Sequence, residues 1–252
     1  MKPTQGFSNL LCLASLIAQP VNAIVGGSDV SAGDAPFAAA IISSTNFGNT
    51  YICGGSLISS KTVLTSAYCV DGSSASSLRA RVGSLEHASG GKVNQVIKVI
   101  KHPNYNTNTR DFDYAILHLQ DAVPDITPAL IANEKTESGA PLTLYGWGST
   151  DKDSEKIPNK LQQLGTTYIT SGDCNSMWSD TIAVTYNMNC DAAPEKGRGS
   201  CTKDQGGAVV NELGEIIGVM GQYNYCDKAS NGRPDINSDT LPAKDWIDQN
   251  TI

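Results

Sequence analysis

The chain has 252 residues, of which 40% are hydrophobic and 17% charged, with a formal net charge of −7. That balance suits a globular protein and excludes a disordered chain. The excess of acid excludes broad electrostatic binding to nucleic acid or to an acidic membrane, and the length fits one large domain or two small ones.

Residues 1–23 read as a secretory signal. Lys2 supplies the positive start, residues 10–18 (LLCLASLIA) form an apolar run too short to span a bilayer, Pro20 breaks it, and Val21-Asn22-Ala23 places small residues at the cleavage positions. No later segment is long and apolar enough to cross a membrane. Cleavage after Ala23 discards Cys12 and leaves Cys53, Cys69, Cys174, Cys190, Cys201 and Cys226. An even number in an oxidising compartment reads as three disulfides, with fifteen possible connectivities. Zinc is the competing explanation, but there is no CxxC pair with a nearby His, so no metal and no cofactor is expected.

From residue 24 onward the apolar, β-branched runs are short and separated by Gly, Ser, Asn and Pro. They fall at 37–42, 51–58, 62–66, 78–82, 93–100, 114–119, 142–145, 161–169, 208–211 and 215–220. Such spacing predicts an all-β sandwich or barrel. The turn-rich stretch 136–141 (TESGAP) is expected in a connection between two β halves of a single region spanning 24–252. One helix is expected, at the C-terminus, with Asp239 or Thr240 as cap, Pro242 in the first turn, and Leu241, Trp246 and Ile247 facing the body.

Four segments then occur in a telling order: Ile24-Val25-Gly26-Gly27; Cys53-Gly54-Gly55-Ser56-Leu57-Ile58 with Leu64-Thr65-Ser66-Ala67-Tyr68-Cys69; Asp111-Phe112-Asp113-Tyr114-Ala115-Ile116-Leu117; and Gly199-Ser200-Cys201-Thr202-Lys203-Asp204-Gln205-Gly206-Gly207-Ala208. Gly146-Trp147-Gly148 adds a weaker mark. In order and spacing the set resembles the chymotrypsin/trypsin family of serine proteases, over nearly all of the chain after residue 23. The resemblance implies two packed antiparallel β-barrels with a C-terminal helix. It also implies the pairing Cys53–Cys69, Cys174–Cys190 and Cys201–Cys226.

In that family a Ser attacks, a His takes its proton and a buried Asp orients the His. The resemblance places Tyr68 at the His position and Gln205 at the Ser position, and leaves Asp113 alone of the three. A phenol with a pKa near ~10 is a poor base at neutral pH, and an amide is no nucleophile. Losing base and nucleophile together removes roughly 10⁶-fold in turnover. His87, His102 and His118 are expected to be solvated and not to rescue the chemistry. His118, five residues beyond Asp113, is expected on the opposite face of a strand.

Other parts of the family's machinery differ too. Lys203 replaces the Gly whose N–H faces the oxyanion, and its Cβ disfavours a positive φ by ~1–2 kcal/mol, so that peptide is expected to turn away. Gly199 stands at the pocket floor, Gly221-Gln222-Tyr223 replaces the edge that pairs with substrate, and Asp235 replaces a pocket-opening Gly; Tyr223 and Asp235 are expected to fill the slot. Asp204 is retained, and the resemblance implies that it pairs with the amino group of Ile24 freed by signal cleavage.

The expected protein is therefore a secreted, inactive protease homologue that works by binding. The whole chain resembles the glucanase inhibitor proteins of oomycete plant pathogens. That resemblance implies a counter-defence effector acting in the host apoplast, with a host extracellular endo-β-1,3-glucanase as partner; a decoy or adaptor for another extracellular protein is the alternative. Gln222, Tyr223 and Tyr225 are the expected partner contacts, because Tyr buries a large ring and keeps a polar tip. An active protease of unusual mechanism, or a different hydrolase on the same fold, finds no supporting carboxylate pair, metal cluster or phosphate loop.

Overall fold

A computed structural model describes residues 24–46, 48–150, 156–221, 226 and 232–252. The first barrel is built from β2 (Ala38–Thr45), β3 (Gly48–Ser59), β4 (Thr62–Thr65), β5 (Leu78–Val82), β6 (Lys92–Lys101) and β7 (Ala115–Leu119). It closes in the order β2-β3-β4-β7-β6-β5, all antiparallel. In β5 the period-2 alternation is clean: Leu78, Ala80 and Val82 are buried while Arg79 and Arg81 between them are partly exposed.

The second barrel comprises β8 (Pro141–Gly146), β9 (Gln162–Ile169), β10 (Met188–Ala192), β11 (Ala208–Val210), β12 (Ile216–Met220) and β13 (Asp235–Asp239). These run β9-β10-β13-β12-β11-β8 and close through the β8–β9 pair, while the two-residue β1 (Ser28–Asp29) lies on the edge of β9. The all-β, two-barrel architecture inferred from the sequence is the one observed. The chain leaves the first barrel at Leu119 and enters the second at Pro141. Among the described residues no helix is long and apolar enough to cross a membrane.

Besides the two-residue β1, two longer strands escaped the sequence reading, β10 (MNCDA) and β13 (DINSD). Both are polar, and Asp and Asn are depleted in strands, yet Asn189, Asp191, Asp235, Asn237 and Ser238 are all buried. Part of their polarity is absorbed by hydrogen bonds inside the barrel. Asn237 Nδ2 donates to Asp191 Oδ1 at 2.8 Å, and Asn189 Nδ2 donates to the Ile217 carbonyl at 3.1 Å.

The helices also differ from expectation. Besides the single turn α1 (Ala67–Val70), an eight-residue α2 (Ser171–Trp178) is present. Its start is legible in hindsight: Thr170 is an N-cap whose Oγ1 accepts from Asp173 N at 3.2 Å and donates to Asp173 Oδ2 at 2.8 Å. The C-terminal α3 spans Lys244–Gln249, beginning later than Asp239 or Thr240 would cap it. Instead, Asp239 Oδ1 accepts from Leu241 N at 3.0 Å and makes a side-chain turn ahead of the helix.

The three disulfides join Cys53–Cys69, Cys174–Cys190 and Cys201–Cys226, as the resemblance implied. The largest core fills the first barrel and extends to Trp147, Leu161 and Ile247; a second packs Ile24 against Leu142, Leu144, Val209 and Met220. The barrels are tied by Tyr114, whose buried hydroxyl reaches the carbonyls of Asn187, at 3.0 Å, and Asp239.

Candidate functional site at the barrel junction

Strand β4 ends at Thr65, Ser66 is extended, and α1 then carries Tyr68 back over the first barrel, anchored by the Cys53–Cys69 bond. Asp113 approaches the same turn from the loop before β7. It is buried, and its carboxylate accepts from Ser66 Oγ at 2.6 Å and from Tyr68 N at 2.7 Å. Burial outweighs these bonds and pushes the carboxyl up to about 6. Asp113 thus holds a backbone N–H of residue 68 rather than an imidazole. Tyr68 is 36% exposed, and the Arg110 guanidinium lies over its ring, 4.7 Å from the centroid.

The facing wall is the 199–207 loop of the second barrel. Contrary to the expectation for Lys203, its backbone is in the left-handed region, φ 72°. The reason is that both peptides flanking its Cα are pinned. Lys203 N donates to Gln205 Oε1 at 2.8 Å, and Tyr51 Oη donates to the Lys203 carbonyl at 2.9 Å. Two hydrogen bonds of about 1 kcal/mol each offset the ~1–2 kcal/mol that a Cβ adds in this conformation. The turn is therefore left-handed at Lys203, with its N–H taken by the Gln205 side chain. Gln205 is buried, its Nε2 reaches the Cys201 carbonyl at 3.5 Å, and its own carbonyl accepts from Gly54 N at 2.9 Å. A Cβ on Gly54 would lie 2.8 Å from Gly207 Cα, so glycine is what lets the two barrels touch here.

Asp204 is fully buried, and its carboxylate accepts from Gly148 N at 2.7 Å and Cys201 N at 2.8 Å. Val25 pairs with Gly199 through reciprocal bonds of 3.0 and 3.2 Å, which brings the buried Ile24 beside the same segment. Asp235 is buried in β13 and its Oδ2 accepts from Ser200 N at 2.8 Å, one residue past Gly199. Gln222, Tyr223 and Tyr225 lie outside the described residues, as do residues 1–23, read from the sequence as a secretory signal.

The histidines depart from the solvated state expected of them. His118 is buried, and its Nε2 bonds the Asn250 carbonyl at 2.7 Å, docking the C-terminal helix on β7. His102 stacks on Phe112, with centroids 4.7 Å apart, and meets Trp246 edge-on; His87 tilts against Tyr51 at 5.0 Å. Burial lowers the pKa of both His87 and His102. Among the described residues, no group of three or more His, Cys, Asp or Glu is arranged to hold a metal ion.

Sequence reasoning missed Ser66, which completes the Asp113 cradle, and Arg110, which covers Tyr68. Arg110 stands three residues before Asp113 but carries no motif of its own, so only the spatial contact reveals it.

The profile of the Trypsin family matches residues 24–247. Similar proteins include Trypsin 5G1 of Aedes aegypti, 31% identical over 229 residues that cover 89% of this chain and 83% of the relative. Trypsin alpha of Drosophila erecta is 30% identical over 236 residues, covering 92% and 89% respectively. Trypsin Blo t 3 of Blomia tropicalis is 31% identical over 214 residues, covering 82% and 78%. With the two barrels and a matching profile from Ile24 to Ile247, the chain belongs to the trypsin family of chymotrypsin-like serine proteases.

Proposed function

We propose that this protein is a secreted, catalytically inactive member of the family that acts by binding. The observation that carries the reading is the Gln205 side chain seated on Lys203 N–H. The position where the family's attacking hydroxyl is expected holds an amide. That amide also occupies the donor an oxyanion would need, and one lost donor of this kind costs about 10²–10³ in turnover. Tyr68 adds no base beside it: Asp113 spends its carboxylate on Ser66 and a backbone N–H, and the phenol ring faces Arg110 and solvent. Asp235, buried and bound to Ser200 N, stands where the resemblance expects a pocket-opening Gly, which supports the same reading.

The partner is a host plant endo-β-1,3-glucanase, which the protein inhibits in the apoplast as a counter-defence effector. This finer reading is supported by the resemblance to glucanase inhibitor proteins and by three disulfides that suit an extracellular protein. Two measurements test it. Organophosphorus serine reagents should leave the purified protein unlabelled, and peptide and casein substrates should show no turnover above a blank. Added to purified endo-β-1,3-glucanase, the protein should reduce laminarin hydrolysis in proportion to its concentration. Covalent labelling sinks the inactive reading. Full glucanase activity at saturating protein sinks the partner and leaves the decoy or adaptor role.

A further inference from the structure

The turn between β11 and β12 holds a leucine out in solvent. Asn211 organises it: its Oδ1 accepts from Leu213 N at 3.0 Å and from Glu215 N at 2.9 Å, and its Nδ2 donates to Glu215 Oε2 at 2.8 Å. The backbone N of Asn211 donates to the Glu215 carbonyl at 3.0 Å. Gly214 takes the left-handed step at φ 77° that closes the turn, and its N donates to the Asn211 carbonyl at 3.0 Å. With both flanks fastened, Leu213 stands at the tip, 82% exposed.

A second leucine stands on the neighbouring segment. Ile131 pairs with Ile216 in a parallel bridge, and the Leu130 carbonyl accepts from Ile216 N at 2.8 Å, so Leu130 runs alongside the start of β12. It is 68% exposed, and among the described residues Leu213 and Leu130 are the two most exposed large aliphatic side chains. Each borders a surface hollow, of about 450 Å³ at Leu213 and about 200 Å³ at Leu130, and the two hollows share Asn133 and Glu215 as a common wall. Single exposed apolar residues are ordinary, but two set along one continuous groove mark a contact surface.

The charge of the groove says what fits it. Glu134, Glu137, Glu215 and Asp248 line it against two lysines, Lys135 and Lys244. Lys244 is paired with Asp248 at 2.7 Å, and Glu215 bonds a neutral amide, which leaves its charge in place. Among the described residues Glu134 and Glu137 enter no salt bridge, so with Lys135 against three acids the groove keeps a net negative charge. The chain as a whole, at −7, favours a basic partner in the same sense.

We infer that this groove, with Leu130 and Leu213 on its rim, is a docking surface for a protein partner that presents a lysine or arginine between apolar side chains. The inference rests on the reading of the chain as a binding protein and names the chemistry that one surface of it reads. A long basic side chain lays its methylenes along the leucines and keeps its charged head among the carboxylates. The turn that carries Leu213 is set before the partner arrives, so little backbone freedom is lost on binding.

The test titrates two capped tripeptides, leucine-lysine-leucine and leucine-glutamine-leucine, into the isotope-labelled secreted protein by NMR at low salt. The lysine peptide should shift the amide signals of Leu130, Asn133, Leu213 and Glu215 at about millimolar concentration, with the glutamine peptide about fivefold weaker. That gap should close in 1 M salt, where the Debye length falls to about 3 Å. Leu130→Ser with Leu213→Ser, both at exposed side chains, should keep the melting curve and weaken the lysine peptide about tenfold. Glu134→Gln with Glu137→Gln should remove most of the preference for lysine. Equal responses to both peptides, no response, or shifts that leave Leu130 and Leu213 untouched overturn the inference, and the peptide comparison on the unaltered protein needs no variant at all. Because neither a glucanase nor a serine reagent enters this titration, its failure and the failure of the proposed function are read separately.

Discussion

Asp113 should make the protein less stable at neutral pH than an uncharged isostere in its place. The carboxyl is buried and titrates at about 6 in the fold against 3.8 when unperturbed, because desolvation outweighs the bonds from Ser66 Oγ and Tyr68 N. Between those pH values the native protein holds a proton that the unfolded chain has released. Stability linked to this group is therefore fully present below pH ~4, falls as pH rises through 6, and stays lost above it. The gap between the two pKa values corresponds to about 3 kcal/mol. Asp113→Asn keeps the shape, keeps an oxygen to accept from Tyr68 N, and lets the Ser66 hydroxyl rotate to accept from the amide. Urea denaturation of both proteins from pH 4 to pH 8 reads the difference. The variant should gain on the parent by roughly 2–3 kcal/mol across that range and be the more stable protein at pH 8. A stability difference that stays constant from pH 4 to pH 8 would refute the reasoning, because it would mean that burial does not penalise this charge.

Asp204→Ala should remove acceptors from the buried Gly148 and Cys201 N–H groups and destabilise by roughly 3 kcal/mol, lowering Tm by about 6–12 °C; a shift within about 1 °C would show that the carboxylate does not brace this loop. The double variant Tyr68→His with Gln205→Ser should become only weakly reactive toward an organophosphorus reagent, since releasing Lys203 N from Gln205 also removes one of the two bonds that hold Lys203 at φ 72°. It should still fail to cleave tryptic peptides, because Asp235 remains bound to Ser200 N; tryptic cleavage would place Asp235 outside the path of a substrate side chain. N-terminal sequencing and thiol titration of secreted protein should give Ile24 as the first residue and no free thiol, and a start well upstream would reveal a propeptide.

What the sequence determined alone is whatever depends on neighbours along the chain. Alternation in β5 and the apolar runs of the other barrel strands announce an all-β body, because side chains on a strand take sides every second residue. Tyr68 sits next to Cys69, and Gln205 sits next to Gly206-Gly207, so the positions proposed to have lost their catalytic residues were marked by adjacent motif residues. The tertiary structure decided whatever rests on contacts between distant segments. Polar β10 and β13 become strands because backbone pairing within one closed barrel holds them and brings Asn237 to Asp191, Asn189 to the Ile217 carbonyl and Asp235 to Ser200 N. Lys203 takes a backbone conformation its side chain disfavours because Tyr51, 152 residues away, holds one flanking peptide while Gln205 holds the other. His118 looked like a solvated residue until the C-terminus folded onto it, 132 residues further along. Arg110 had no signal in its own neighbourhood, for its partner is the ring of Tyr68 on another turn. Local pattern reports which face a residue prefers, and only the closed barrels set which groups meet across that face.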